Sequence, residues 1–447
     1  MTASRWLLGI ALGVLIVGAA AFFWYRGSPG PLSFAGADTV RLADYKEPNP
    51  TGVPPELSQA DPAARGRYLT DAADCQACHT REGGVPFAGG RAFKTQFGTL
   101  YSSNITPDRE TGIGAWSAAD FLRAVHQGVR PDGTHLYPAF PYAAYTYLTD
   151  EDVQAIWTYL RSVRAVRNPV PANELAFPFN QRWLMGIWSA LFNPDRRFAP
   201  NTRRSAEWNR GAYLAEGLAH CGDCHTPRNG LQALNNRGKF SGAVTAGWRA
   251  FNITSQPTAG VGSWSDDSLA QYLATGHAAN HGTASGPMGE AIELSLSKLV
   301  PSDTHALVTY VRSIPPIASS DFPAVRTEPA DATPGSGAAE VSADALGKQV
   351  FAGACSGCHG WTGSSPLMDR ATLVGSRAVN DPSAVNIVQM ILNGSAGGSA
   401  GATGMPAFGA DYSDAEIAAV ANYVTARFGA KASAVTARTV AHLRTTT

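Results

Sequence analysis

The sequence is notable first for what it lacks. It holds six cysteines in 447 residues, and none stands outside three copies of one five-residue pattern. Charge of neither sign is in excess, with Lys+Arg and Asp+Glu both at 35, so no basic surplus suggests nucleic acid and no acidic tail is present. A nucleotide-binding glycine motif is absent, because GIGAWS lacks the G-x-G-x-x-G spacing and its strand context. No G-x-S-x-G nucleophile elbow occurs. Methionine is scarce: between Met1 and Met185 there is none. These absences leave one chemistry to consider.

The three patterns are CQACH at 75–79, CGDCH at 221–225 and CSGCH at 355–359. C-x-x-C-H is the attachment signature of c-type haem. One helical turn separates the two thiols, so both face the macrocycle edge, and the next histidine reaches the iron. Cys75, Cys78, Cys221, Cys224, Cys355 and Cys358 are thus expected to bind three covalent haem c groups, with His79, His225 and His359 as proximal ligands. A zinc site would need four ligands, and each pattern offers no obvious fourth. A thioredoxin-like reading would need a βαβ context that the sequence does not show.

At about 150 residues per domain, the length suggests roughly three domains. The order of elements repeats around each cysteine pair. RGRYL (65–69), RGAYL (210–214) and GKQVF (347–351) precede the pairs, and a helix with a late aromatic follows each. Thr149 with Asp152, and Ser413 with Glu416, have the form of capping boxes. A glycine in the first helix allows a close crossing with the last. Twenty uncharged residues, 6–25, lie between Arg5 and Arg26, enough to span a bilayer. The expected architecture is all-α, three consecutive cytochrome c-type domains after an N-terminal transmembrane helix. The boundaries are a signal anchor at 1–26, a linker at 27–60, the first domain at 61–168 and a connecting segment at 169–204. The second domain takes 205–315, a linker 316–344, the third domain 345–430 and a tail 431–447.

The first two repeats match further. SNITPDRETGIGAWS (103–117) aligns with FNITSQPTAGVGSWS (251–265), a loop expected near the haem edge rather than a glycosylation acceptor. The same 24 residues separate Trp264 from Met288 and Trp116 from Phe140. Met288 and Met405 are the expected sixth ligands of the second and third haems, where an axial methionine raises the potential. Phe140 then stands in the ligand position of the first haem and cannot bind iron. His135 is the leading replacement; His126, Met185 and an open or water-bound site are the alternatives. QRWLMGIWSALF (181–192) reads either as a partner or membrane-surface element or as a core-packed link.

RGRYLTDAADCQACHT, SNITPD…TGIGAWS, DGTHLYPAFPY and SAEWNRGAYLAEGLAHCGDCHTPRN together resemble the three-haem cytochrome c subunit of membrane-bound periplasmic dehydrogenases. The likeness covers about residues 60 to 430. It implies an electron-transfer subunit on the periplasmic face of the bacterial inner membrane, relaying electrons from a catalytic subunit to ubiquinone. The substrate would be oxidised on another chain. Phe140 departs from the methionine of alcohol and sugar dehydrogenase members and is similar to the form serving molybdopterin aldehyde dehydrogenases. The resemblance therefore favours a molybdopterin partner with an iron–sulfur subunit, over a pyrroloquinoline quinone or flavin subunit. A free-standing tethered shuttle and a peroxidase are the alternatives from other classes.

Overall fold

A helix can approach another closely only where a side chain is missing, and three glycines set the frame of this protein. The computed structural model describes residues 29–319 except 37, 323–330, 345–395 and 404–446, with positions 13 and 18. The first domain begins with α1 (Pro62–Ala72), the attachment helix α2 (Cys75–His79), a hairpin of β1 (Ala92–Thr95) and β2 (Gly98–Tyr101), α3 (Ala118–Gln127) and α4 (Asp150–Ser162). Between the first two domains run β3 (Glu174–Leu175) and α5 (Trp183–Phe192). The second domain comprises α6 (Ala206–Tyr213), α7 (Gly222–His225), β4 (Ala243–Thr245), β5 (Trp248–Ala250), α8 (Asp266–Thr275), β6 (His277–Ala278), β7 (Gly282–Thr283), α9 (Gly286–Leu294) and α10 (Pro301–Arg312). The third has α11 (Ala345–Val350), α12 (Ser356–His359), α13 (Val385–Asn393), α14 (Asp414–Phe428) and α15 (Ala437–Thr445).

In each domain the first helix crosses the last: α1 on α4, α6 on α10, α11 on α14. A Cβ at Gly66, Gly211 or Gly347 would overlap the carbonyl of Ala155, Ala306 or Ala419, respectively. Four residues beyond each alanine stands Tyr159, Tyr310 or Tyr423, against the same glycine. These are the late aromatics of the repeat.

The expectation of an all-α fold behind a transmembrane helix needs correction. Three small antiparallel sheets are present, β1-β2-β3, β4-β5 and β6-β7. Their strands span two to four residues, too short for a two-residue alternation to emerge from the sequence. Ala246 and Gly247, both at positive φ, close the β4–β5 hairpin in two residues. Among the described residues no helix is long and apolar enough to cross a membrane. The 15 residues of α14 reach about 22 Å, short of a hydrocarbon core of about 30 Å. The run at 6–25, apart from positions 13 and 18, lies outside the described residues.

Other segments are tied in more firmly than their composition suggests. Residues 29–60, read as a linker, lodge Phe34 beside Trp208 and Tyr310. Pro50 and Gly52 offer their carbonyls to Arg210 at 2.9 and 2.8 Å. The tail places Val440 and Leu443 of α15 in the core of the third domain. The Ser413–Glu416 capping box forms. At the other expected box, Thr149 accepts from the Asp152 amide, but the Asp152 carboxylate is taken by the Gly52 amide, Arg65 and Tyr213. Charged and phenolic partners outcompete the cap.

That diversion joins the first two domains. Tyr213 of the second domain donates to Asp152 of the first at 2.6 Å. Tyr68 of the first donates to Asp303 of the second at 2.5 Å. The aspartates hold equivalent places at the starts of α4 and α10, each paired to its own domain's arginine, Arg65 or Arg210. The exchange is reciprocal, as in an isologous dimer. One apolar cluster runs through both domains, including Leu69, Leu148 and Trp157 with Tyr213, Leu214 and Leu307. The third domain has its own cluster. It meets the second through polar contacts to backbone: Asn386 with both Arg249 backbone groups at 2.8 and 2.9 Å, and Arg377 with the Thr258 and Gly260 carbonyls at 2.6 and 2.8 Å.

Each exchanged bond ends on a buried carboxylate, where a hydrogen bond contributes about 1.5–3 kcal/mol. Tyr68→Phe and Tyr213→Phe should each lower the stability of the paired domains by about 2 kcal/mol. Calorimetry of the full chain checks this, with the third domain's transition unchanged.

Candidate haem-binding sites

A metal-binding histidine needs its second ring nitrogen held, because that bond fixes the tautomer and the ring's orientation. All three motif histidines meet this condition. His79 Nδ1 donates to the Ser103 carbonyl at 2.7 Å, His225 Nδ1 to the Phe251 carbonyl at 2.7 Å, and His359 Nδ1 to the Ala371 carbonyl at 2.6 Å. Nε2 is then the free donor to iron in each. Burial lowers the pKa of all three, partly opposed by the carbonyl bond, which keeps the imidazoles neutral and fit to ligate.

The repeated Asn-Ile-Thr motif explains how the carbonyl is placed. Ser103 and Phe251 stand immediately before it. Asn104 Oδ1 accepts from the Thr106 amide and hydroxyl at 2.9 and 2.7 Å, while its amide donates to the Val166 carbonyl at 2.7 Å. Asn252 repeats the pattern with Thr254, at 2.8 and 2.7 Å, and with the Ile317 carbonyl at 2.8 Å. The G-x-G of GIGAWS and GVGSWS packs on the same loop: Cβ atoms at Gly112 and Gly260 would overlap the Thr106 and Thr254 carbonyls. Asn104 and Asn252 are 2% and 3% exposed, which rules out a glycosylation acceptor. The orienting carbonyls belong to the backbone and carry no residue-type signal; the repeat of Asn-Ile-Thr was the available clue.

No disulfide joins the six cysteines. Burial pushes Cys78 and Cys221 up to about 12, and Cys224 and Cys355 up to about 11. At these four positions burial works against the thiolate form. Among the described residues no cluster of three or more His, Cys, Asp or Glu could hold a metal ion. The donor set fits haem c instead. In the third domain Cys355 and Met405 line one apolar cleft with Val350, Ile391, Phe408 and Val420. Ser395 fixes Met405 from both sides, its amide donating to the Met405 carbonyl at 2.9 Å and its hydroxyl accepting from the Met405 amide at 3.1 Å.

Phe140 and Met288 occupy the same place in the backbone. In the first domain Leu136 N–H donates to the Gly128 carbonyl at 2.7 Å; in the second Ala284 N–H donates to Gly276 at 2.7 Å. Both glycines cap the preceding helix in the left-handed region. Phe140 and Met288 each lie four residues past the closing bond, and both pack half-buried against the shared core. Phe140 makes an edge contact with Tyr145 at 5.5 Å. His135 sits back in the hairpin opposite Val129. Its ring lies along α5, where a Cβ at Gly186 would come 3.0 Å from Nε2. Its Nδ1 is buried without a hydrogen-bond partner.

His126 is fully buried on α3, with Nδ1 3.7 Å from the Asp150 carboxylate. Met185 lies half-buried on α5. The segment 181–192 leaves Trp183 and Ile187 exposed while Trp188 donates to the Leu231 carbonyl at 2.8 Å, so it covers the domain junction with one side and faces solvent with the other.

The family description "cytochrome c" matches residues 63–164, and "cytochrome c oxidase, cbb3-type, subunit III" matches residues 342–424. Covalently bound haem c is thereby indicated. The chain is 38% identical to the fructose dehydrogenase cytochrome subunit of Gluconobacter japonicus, over 93% of this chain and 89% of that one. It is 37% identical to the gluconate 2-dehydrogenase cytochrome c subunit of Pantoea cypripedii, over 85% and 89%. It is also 41% identical to a nicotinate dehydrogenase subunit of Pseudomonas putida, over 82% of this chain but only 30% of that longer protein.

Phe140→Met should raise the reduction potential of the first site, since axial methionine does so; a spectroelectrochemical titration checks it. Burial, aided by Arg197, lowers His126 to about 4, against about 6.5 unfolded. The unfolded chain therefore takes up the extra proton between those values. Stability is full above about pH 6.5 and falls as pH drops toward 4. Thermal melts of His126→Gln should lose that one-proton slope.

Proposed function

The chain belongs to the cytochrome c subunits of dehydrogenases, and on that premise we propose that it is a three-haem electron-relay subunit of a periplasmic dehydrogenase complex. The carrying observation is the threefold recurrence of one device: a C-x-x-C-H motif whose histidine Nδ1 is tied to a backbone carbonyl. Cys75, Cys78, Cys221, Cys224, Cys355 and Cys358 would hold the three haems, with His79, His225 and His359 as proximal ligands. Met288 and Met405 would complete the second and third sites. Bound haem c supplies one-electron transfer. The chain itself positions the imidazoles, surrounds the thioether edges with apolar side chains and fixes the methionine backbones.

Electrons would come from a catalytic subunit and pass to ubiquinone at the periplasmic face of the inner membrane. Phe140 supports a molybdopterin catalytic subunit with an iron–sulfur partner, acting on an aldehyde, because it replaces the methionine that alcohol and sugar members carry there. The likeness to the fructose and gluconate dehydrogenase subunits supports a second reading, a flavin-dependent sugar or gluconate dehydrogenase partner. His135 is the proposed sixth ligand of the first haem. Its unpartnered Nδ1 supports an imidazole available to turn, and it sits in the hairpin that leads to Phe140.

Chain matured in a periplasm should carry three covalent haems by intact mass, and changing any one cysteine pair to alanines should remove one of them. A count of two would overturn the three-haem reading. Purification from native membranes in mild detergent should bring a catalytic subunit along. Molybdopterin among the extracted cofactors favours aldehyde oxidation, flavin the sugar reading, and isolation without any partner overturns the subunit role.

A further inference from the structure

The first and second attachment sites meet at a point that neither motif announces. Helix α9, which carries Met288, packs on α2, the attachment helix of the first domain. Cys78 and Cys224 lie near enough to act electrostatically on one another. Tyr145, whose hydroxyl donates to the Ala73 carbonyl at 2.6 Å, rests its ring 5.5 Å from the His220 ring, just before Cys221.

A bidentate ion pair spans this junction, beside a second pair of Lys298 with Asp71 at 3.1 Å. Arg91, at the mouth of the β1–β2 hairpin, donates from Nη1 to the Ala77 carbonyl inside CQACH at 2.5 Å. The same guanidinium grips Glu290 on α9 with both nitrogens, at 2.5 and 2.9 Å. Glu290 lies two residues past Met288. The fork is bidentate, the geometry in which arginine and carboxylate hold each other in a fixed plane. Arg91 is itself braced, its amide donating to Ser102 Oγ at 3.0 Å and its guanidinium lying 5.5 Å from the Phe93 ring. Asp74 stands nearby; burial, with the Glu290 charge adding to it, raises its pKa to about 8. Arg91 and Glu290 answer each other's charge across the junction. Both are only about one third exposed, so solvent screens them incompletely.

We propose that Arg91 and Glu290 form a charge clamp that positions the Met288 helix against the first attachment motif and lets the first domain set the reduction equilibrium of the second site. The inference rests on the haem reading above and adds positioning residues that the motifs do not contain. A reduced haem carries one electron more, so a nearby cation stabilises it and a nearby anion opposes it. The two residues must therefore act with opposite sign.

The test uses the full-length, haem-loaded protein, with spectroelectrochemical titration and the methionine-to-iron charge-transfer band of the ferric form as readouts. Arg91→Gln should lower one midpoint potential and Glu290→Gln should raise the same one, each by roughly tenfold in the reduction equilibrium, about 59 mV for one electron. The exchanged pair, Arg91→Glu with Glu290→Arg, should keep the charge-transfer band. Arg91→Lys serves if the glutamine variant does not fold; it keeps the charge without the fork and should hold the potential while weakening the band. Shifts of the same sign in Arg91→Gln and Glu290→Gln, or none in either, would overturn the clamp. Met288→Ala separates the two ideas: it should remove the second site's share of the band and leave the share of Met405, and an undiminished band means that the ligand assignment fails whatever Arg91 does.

Discussion

Two phenols cross between domains, and much of the architecture depends on them. Tyr68 reaches Asp303 and Tyr213 reaches Asp152, so each of the first two domains completes the buried ion pair of the other. A carboxylate out of water needs every available donor. Each domain supplies one arginine to its aspartate, and the partner's tyrosine supplies a further bond. Separated, each would leave a carboxylate short of a partner and a face of the shared apolar cluster open. The pairing is thus built into the repeat, since Arg, Gly and Tyr recur in RGRYL and RGAYL. GKQVF carries Gln349 where the others have tyrosine, and the third domain stands outside the exchange with a separate core.

The paired arrangement has consequences for the sites. It lays α9 on α2 and brings the cysteines of the first two motifs close. In the proposed relay, this shortens the step between the first two haems to a contact between neighbouring elements. The third domain attaches differently. Its contacts with the second include Asn386, Gln389 and Arg377 on backbone groups of the β4–β5 hairpin and the loop before α8, and an ion pair of Asp381 with Arg249 at 3.3 Å. Polar contacts of this kind fix orientation with little apolar burial, and they resemble interfaces that permit relative motion more than a fused core does.

The attachment motifs were fully legible, because covalent chemistry demands particular residues at particular spacing. The glycine crossings were legible for a related reason: only one residue type permits the approach. The repeat of Asn-Ile-Thr and G-x-G could be seen, yet its purpose could not, since the atom it delivers is a main-chain carbonyl. Arg91 and Glu290 were invisible for another reason. They are 199 residues apart and belong to no motif. Composition misled at both ends of the described chain. Proline- and glycine-rich residues 29–60 looked like a tether but contribute carbonyls that satisfy Arg210. The tail looked detached but closes the third domain's core with Val440 and Leu443. Strand pairs of two to four residues escaped because their pattern is shorter than the period that would reveal it.

Position 140 holds a phenylalanine where the second repeat has Met288, after the same glycine-capped hairpin bond. The hairpin before it closes with the same glycine-capped bond as the hairpin before Met288, and the spacing to the ligand position is identical. The two segments part after that bond: Met288 lies within α9, which begins at Gly286, whereas Phe140 lies in a turn ahead of a short helix at Tyr142–Tyr145. Pro141 follows Phe140, and Tyr145 on that short helix turns its ring toward both Phe140 and His220. The aromatic side chain thereby joins the wall between the first two sites. The phenyl ring packs against Tyr145 and adds to the apolar seam. In the proposed relay, the substitution would exchange an iron ligand for packing against the core that the first two domains share.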